Sequence, residues 1–273
     1  MVALIKRVLL YGLAAALLVF TGYPFLYMLA TSFKTQQQFF QSPFSLFTSI
    51  NLTNYSSVFQ MGLSRYFVNS VIISFTSVFL VVLLAALASY PLSRMKFRLN
   101  KPLFLLFVSG MMLPVHATLI PTFILTNHLG LYDRLIALVG PYVAFSLPIS
   151  IFILTQFMKE IPDALEEAAR IDGTTDFGVF WRIVLPMSGP ALSTVVIYNF
   201  IHIWMEFIFA LVLINSPENM TLPLGLQKFY GEFSVNVPGL MAALTLATVP
   251  VLAVYLVSQE KVIKGLAGGA LKG

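Results

Sequence analysis

The sequence contains no cysteine, and only 10% of its 273 residues are charged. The first absence excludes a disulfide scaffold, a thiolate metal site and a cysteine nucleophile, and leaves the redox compartment open. The second excludes a water-facing surface of ordinary composition, since soluble domains carry about 25% charged residues. Catalytic signatures are also missing. No Gly-x-x-x-x-Gly-Lys-Ser/Thr loop occurs, so the chain is not expected to bind ATP through a P-loop, and there is no Gly-x-Ser-x-Gly, His-Glu-x-x-His or Gly-x-Gly-x-x-Gly. The three histidines, His116, His128 and His202, are scattered over separate segments and suggest no metal site. A chain of this kind is expected to be no catalyst, with no cofactor of its own, and to draw energy from a partner.

What is present is apolar: 58% hydrophobic residues, with 25 Phe and 11 Tyr. Six stretches, near 8–30, 68–92, 103–125, 135–157, 190–214 and 239–258, are long enough to cross a bilayer, which takes about 20 helical residues. None alternates with period two, which argues against a barrel. The fold class is therefore an all-α integral membrane protein with six transmembrane helices. Lys6 and Arg7 precede the first stretch as in a signal peptide, but the apolar run outlasts an h-region and no small-x-small site follows. It reads as a retained helix.

Charge sets the expected orientation. Lys6, Arg7, Arg94, Lys96, Arg98, Lys101, Lys159, Arg170, Arg182, Lys261, Lys264 and Lys272 fall on one side, and only Lys34, Arg65, Arg134 and Lys228 on the other. The positive-inside rule then puts both termini in the cytoplasm. The net charge of +5 sits in short clusters beside apolar runs, which points to lipid and not to nucleic acid. Outside, the segment 31–67 carries Phe39, Phe40, Phe44 and Phe47 with Pro43, as expected of a stretch lying along the interface. The outer loop 215–238 is polar. The whole chain, 1–273, reads as one transmembrane domain: a first helix and outer segment at 1–66, a five-helix core at 67–258, and a tail at 259–273.

The only long inner loop, 159–189, holds six of the eleven acidic residues. Pro162 can start a helix, because a first-turn proline loses no hydrogen bond. Asp163, Glu166 and Glu167 follow where the helix dipole favours negative charge. Leu165, Ala168, Ala169 and Asp172 fall on or near one face, and Gly173 ends the helix, with Thr174, Thr175 or Asp176 able to cap the next. That second segment groups Phe177, Phe180, Trp181 and Val184 before Pro186, which is expected to stop it. A bland reading is an amphipathic connector on the membrane surface.

The spacing Glu167-Ala168-Ala169, three residues, Gly173, nine residues, Ile183, one residue, Leu185-Pro186 resembles the EAA loop of ABC-importer permeases. Asn54-Tyr55, Phe59, Asn69-Ser70, the run from Leu113-Pro114 to Ile120-Pro121, Gly140-Pro141-Tyr142 and Ile161-Pro162-Asp163 are similar to the carbohydrate branch of that family, typified by the second permease of maltose-type importers. The end, Gly265 to Gly273, has a counterpart too, so the resemblance spans essentially the whole chain. It implies a coupling helix that docks in a cleft of a cytosolic ATPase, with Glu167 pairing a basic residue and Ala168, Ala169 and Gly173 allowing close packing. Asp172, Ile183, Leu185 and Pro186 complete the expected coupling surface. The resemblance further implies a homologous second permease, two ATPase subunits that bind ATP and Mg, and an extracellular or periplasmic sugar-binding protein. Tail residues Gly268, Gly269, Lys272 and Gly273 would contact the ATPases, and Leu222, Pro223, Leu224 and Gly225 the binding protein.

Inside the predicted spans Glu206 is the only acidic residue. Asn199, His202 and Glu206 stand at i, i+3 and i+7 on one stripe, and His116 follows Pro114. These four are candidates for a translocation path. The alternative is a packing cluster in which His202 and Glu206 satisfy each other. Trp204-Met205-Glu206-Phe207 departs from the family's Trp-Asn-acidic-Phe pattern, which weakens any transfer of a substrate role. Pro114 and Pro121 are expected to kink or break the third span, and Pro91 to end the second. A secondary transporter with Glu206 as proton carrier would explain the acid but leave the EAA loop unexplained.

Overall fold

The computed structural model describes residues 2–46, 50–229 and 236–270. The described residues form helices and turns only: α1 (Val2–Ser32), α2 (Gln36–Gln41), α3 (Thr53–Gln60), α4 (Leu63–Arg94), α5 (Asn100–Ser109), α6 (Val115–His128), α7 (Val139–Glu160), α8 (Asp163–Ile171), α9 (Asp176–Val179), α10 (Leu185–Met187), α11 (Gly189–Trp204), α12 (Ile208–Leu213), α13 (Leu222–Gly225) and α14 (Val237–Ala270). Among the described residues, four helices can span a membrane unaided: Leu4–Ser32, Leu63–Arg94, Leu135–Glu160 and Val237–Ser258. Two more spans are built from bent pairs, Asn100–Met112 with Val115–His128 and Asp176–Met187 with Gly189–Trp204. All-helical architecture follows from the medium, because lipid offers no partner for an open backbone group.

The chain divides into two compact units, Met1–Arg65 with Gly225–Val249, and Tyr66–Leu224 with Pro250–Gly273. In the first unit, α1 exposes Leu9, Leu10, Leu17, Leu18 and Phe20, side chains that belong in lipid. The segment after it is tightly tied. Lys34 is buried, and its Nζ donates to the carbonyls of Ser42 at 3.1 Å and Pro43 at 3.0 Å. Burial pulls the Lys34 pKa down. Asn54 Nδ2 donates to the carbonyls of Ser32 and Lys34, each at 2.8 Å, and the Tyr55 hydroxyl lies 2.6 Å from Ser32 Oγ. Thr35 and Gln38 cap α2 reciprocally. Phe40 and Phe44 are exposed beyond that anchor, while Phe47 lies outside the described residues.

In the second unit the core gathers Ala85, Ala86 and Tyr90 of α4, Ile151, Leu154 and Met158 of α7, Val179, Phe180 and Val184 of the loop, and Ala191 and Val195 of α11. Proline acts differently from expectation at two places. Pro91 lies inside α4, which runs on to Arg94, and Pro121 lies inside α6. Pro114 breaks the third span. It forces Leu113 out of the helical region, to ψ 121°, and the two halves meet at 100°. Gly110 makes the approach possible, since a Cβ there would sit 2.9 Å from Pro148 Cγ.

Candidate functional site

The inner loop begins as the residues dictate. Pro162 occupies the cap of α8, with Asp163 and Glu166 in the first turn. Gly173 adopts φ +81°, the left-handed conformation that glycine accepts without strain. The closing bonds run from the amides of Asp172 to Ala168, Gly173 to Arg170 and Thr174 to Ala169. Thr175 is the residue that caps α9, accepting from the Gly178 amide at 3.3 Å. The expected stop at Pro186 is displaced: proline sits in the first turn of α10, where it costs no hydrogen bond, and the chain turns by 72° after Met187. A π-helical turn, Phe180–Val184, joins α9 to α10, and such turns often accompany functional positions.

Two adjacent glutamates part company here. Glu166 is buried and Oε1 lies 2.9 Å from Arg94 Nε at the end of α4. Arg94 also meets Asp163 Oδ1 at 2.5 Å and donates to the Ile161 carbonyl at 2.5 Å. Desolvation raises the Glu166 pKa, and the charges of Arg94 and Arg170 offset part of that rise. Glu167 points the other way and is exposed, with Ala168, Asp172 and Gly173. Ala169 and Leu185 pack onto the core, Ile183 is half-buried and Pro186 exposed. Sequence reasoning missed Ile171, 86% exposed, and expected Phe177, 67% exposed, to group with Phe180. Phe180 is buried, its ring 5.2 Å from Tyr90, whereas Phe177 touches only the edge of that cluster at Trp181, 6.0 Å away.

At membrane depth a cavity of about 510 Å³ is lined by His116, Tyr142, Tyr198, His202 and Glu206 among mostly apolar neighbours. His116, His202 and Glu206 thus converge, from two different spans. Asn199 does not join them. It is buried, and its Nδ2 donates to Ser150 Oγ at 2.9 Å and the Val195 carbonyl at 2.7 Å. The expected His202–Glu206 pair is absent as well. His202 Nδ1 donates to the Tyr198 carbonyl at 2.8 Å, and the two rings lie 4.0 Å apart, tilted by 31°. Glu206 instead restarts a helix. The fifth span breaks at Met205–Phe207, and its carboxylate accepts from the amides of Phe209 at 2.7 Å and Ala210 at 3.3 Å, and from the Tyr142 hydroxyl at 2.6 Å. An acid beside the unpaired N–H groups of a helix start is the favoured arrangement.

The outer loop is organised by a residue that sequence reasoning did not single out. Asp133, at φ 58°, accepts from the amides of Asn215 and Ser216, each at 2.8 Å, and from the Ser216 hydroxyl. Burial raises its pKa, but the bonds from Ser216 and Asn215 outweigh this and hold the carboxyl below its ordinary range. Asn69 donates to the carbonyls of Glu218 and Met220 at 2.9 Å, and Ser70 Oγ accepts from the Leu222 amide at 2.7 Å. Leu222, Leu224 and Gly225 are buried and Pro223 is half-buried. Of the tail candidates, Gly268 and Gly269 fall within α14, and Lys272 and Gly273 lie outside the described residues.

Apolar spans, two of them broken, and a cavity lined by their residues mark a multi-pass membrane protein. Residues 81–267 match the family described as the binding-protein-dependent transport system inner membrane component, and the chain belongs to that family. Members are non-catalytic permease subunits of the inner membrane. The chain is 48% identical over 251 residues to a Caldicellulosiruptor sp. (strain Rt8B.4) chain named as an ABC transporter permease protein, covering 92% of this chain and 91% of that one. It is 34% identical over 276 residues to the trehalose/maltose transport system permease protein MalG of Thermococcus litoralis, covering 98% of each. Its fold is similar to a bacterial ABC transporter involved in import of the acidic polysaccharide alginate. The TM-score is 0.81 at 24% identity, covering 94% of this chain and 95% of that one.

Proposed function

We propose that this permease is one half of the translocation path of an ATP-driven importer for a sugar or oligosaccharide. It pairs with a homologous permease, two ATPase subunits that hold ATP and Mg, and an external binding protein that delivers the solute. All 273 residues act as one transmembrane domain of six spans, with both termini in the cytoplasm. The outward face of α8 carries the reading: Glu167 and Ala168 are exposed beside Ile171, on a helix whose other side is fixed by Arg94. A bare isoleucine next to a carboxylate that forms no ion pair among the described residues, on a small-residue helix, suits a cleft lined by apolar side chains and an arginine. Asp172, Gly173, Ile183, Leu185 and Pro186 complete that coupling surface, and the tail from Gly268 and Gly269 to Lys272 and Gly273 adds a second ATPase contact.

ATP binding closes the ATPases and pushes α8, and the push passes to the ends of α4, α7 and α11 through the core around Phe180. The cavity at His116, His202 and Glu206 then opens outward and receives the solute, with Asn199 keeping α11 in place against α7. Buried Leu222 and Leu224, with Pro223 and Gly225, serve as the footing of the loop that meets the binding protein, and exposed Pro217 and Glu218 form its presented edge. The engagement of Glu206 by three donors favours this role over a proton carrier, which needs a freely exchanging carboxyl. The test is co-purification of tagged wild type and Glu167→Arg from native membranes, followed by ATPase assays in lipid. Wild type should bring down a second permease and an ATPase, and the variant should lose the ATPase or its stimulation. If both purify alone and wild type still carries solute, the importer reading fails.

A further inference from the structure

A second cavity, of about 570 Å³, lies where α4 turns into α5, and it has no part in the path or the coupling surface. Lys96 and Arg98 come from the turn, Lys101 from the first turn of α5, and Lys159 from the last turn of α7. Among the described residues no carboxylate pairs with any of the four. Four like charges around one hollow repel one another, and a bound anion is what relieves them. The hollow is also held in shape. Asn100 Nδ2 donates to the carbonyls of Pro91, Leu92 and Met95, which pins the turn. Lys159 Nζ stands 5.2 Å from the centre of the Phe104 ring, which holds this cation toward α5.

The residues between the cations decide the source of the anion. Met95, Phe97 and Leu99 alternate with Lys96 and Arg98, and all three are exposed, Leu99 by 58%. A site for a dissolved phosphate gains nothing from bare apolar side chains. At a bilayer surface the same alternation sends Met95, Phe97 and Leu99 toward acyl chains and the cations toward headgroups. We propose that this turn is a binding site for the headgroup phosphate of an anionic phospholipid, in the leaflet on the α8 side.

Native mass spectrometry of the assembled transporter tests it, titrating phosphatidylglycerol, phosphatidylcholine or inorganic phosphate in detergent. Wild type should retain phosphatidylglycerol well above phosphatidylcholine. Lys101→Gln should weaken that retention about fivefold, and Lys96→Gln/Arg98→Gln/Lys101→Gln on the order of a hundredfold, following the usual contribution of each cation at an anionic surface. Lys96→Arg/Lys101→Arg should bind as wild type does. Equal retention of the two lipids by wild type overturns the proposal without recourse to any variant. Displacement of the lipid by millimolar inorganic phosphate assigns the hollow to a soluble anion instead. A triple variant that keeps its lipid yet sheds the ATPase makes the turn a protein-docking surface and overturns it too.

Discussion

The inner loop around α8 and the outer loop after α12 are each organised by one carboxylate, buried Glu166 and half-buried Asp133, and the two are held in opposite ways. Glu166 faces a guanidinium and a pair of neighbouring acids in a dry joint, and its proton affinity rises. Asp133 faces neutral N–H and O–H donors, three of them in hydrogen-bond contact, and its proton affinity falls. Both tie elements far apart in sequence, but by different means: opposite charges join α8 to the end of α4, whereas amide and hydroxyl donors of residues 215–216 hold Asp133. Apolar side chains follow the same division: Ile171 and Phe177 face outward on the inner loop, Leu222 and Leu224 inward on the outer one.

Removing Arg94 should break this contrast most severely. Arg94→Ala leaves Glu166 buried without its partner, which costs about 3–5 kcal/mol. Hydrogen exchange over 163–176 should rise sharply while 215–222 stays protected; equal protection in both loops would show that the pair does not hold the joint. Asp133→Asn should give the mirror result at a smaller cost, about 1.5–3 kcal/mol for weakened bonds to a charged acceptor. Exchange should then rise at 215–219, with ATPase coupling unchanged.

Acid sharpens the comparison further. Glu166 has a folded pKa above its ordinary 4.5, so the folded chain takes up this proton first, and the cost of its buried charge is relieved as pH falls through that window. Asp133 has a folded pKa below its ordinary 3.8, so its contribution is complete above that value and is lost as pH falls through the lower folded one. Infrared difference spectra against Glu166→Gln and Asp133→Asn should show the Glu166 carboxyl band appearing at the higher pH. The reverse order would refute the assignment of environments. The mildest change is Thr175→Ala, which removes one cap for about 1 kcal/mol. It should speed exchange in α9 alone and leave α8 and the outer loop untouched.

Much of this was legible in the chain, for local reasons. The position of α8 and its glycine stop follow from caps and helical spacing, and all six apolar stretches overlap a helix or bent helix pair long and apolar enough to cross a membrane. The break at Leu113 was legible through Pro114. The break at Met205–Phe207 was not, because no proline or glycine stands there and the acid that produces it reads first as a chemical group. Its one signal is positional: a carboxylate three and four residues ahead of the amides it caps. The Arg94–Glu166 pair and the Asp133 ring join residues distant in sequence, and periodicity carries no information about such partners. Asn199 shared a helical stripe with His202, yet packing against Ser150 drew it away from the cavity.

The close-packed joint of Tyr90, Val179, Phe180 and Val184 has a mechanical consequence. Interiors of this density barely compress, so a displacement applied at α8 is not absorbed in the loop. Under the coupling proposed above, the joint acts as a stiff crank: its throw is fixed by geometry, and a partner moving α8 by some distance would move the helix ends behind it by nearly the same amount. A single smaller side chain at Val184 would act as backlash, letting the driver travel before the load follows.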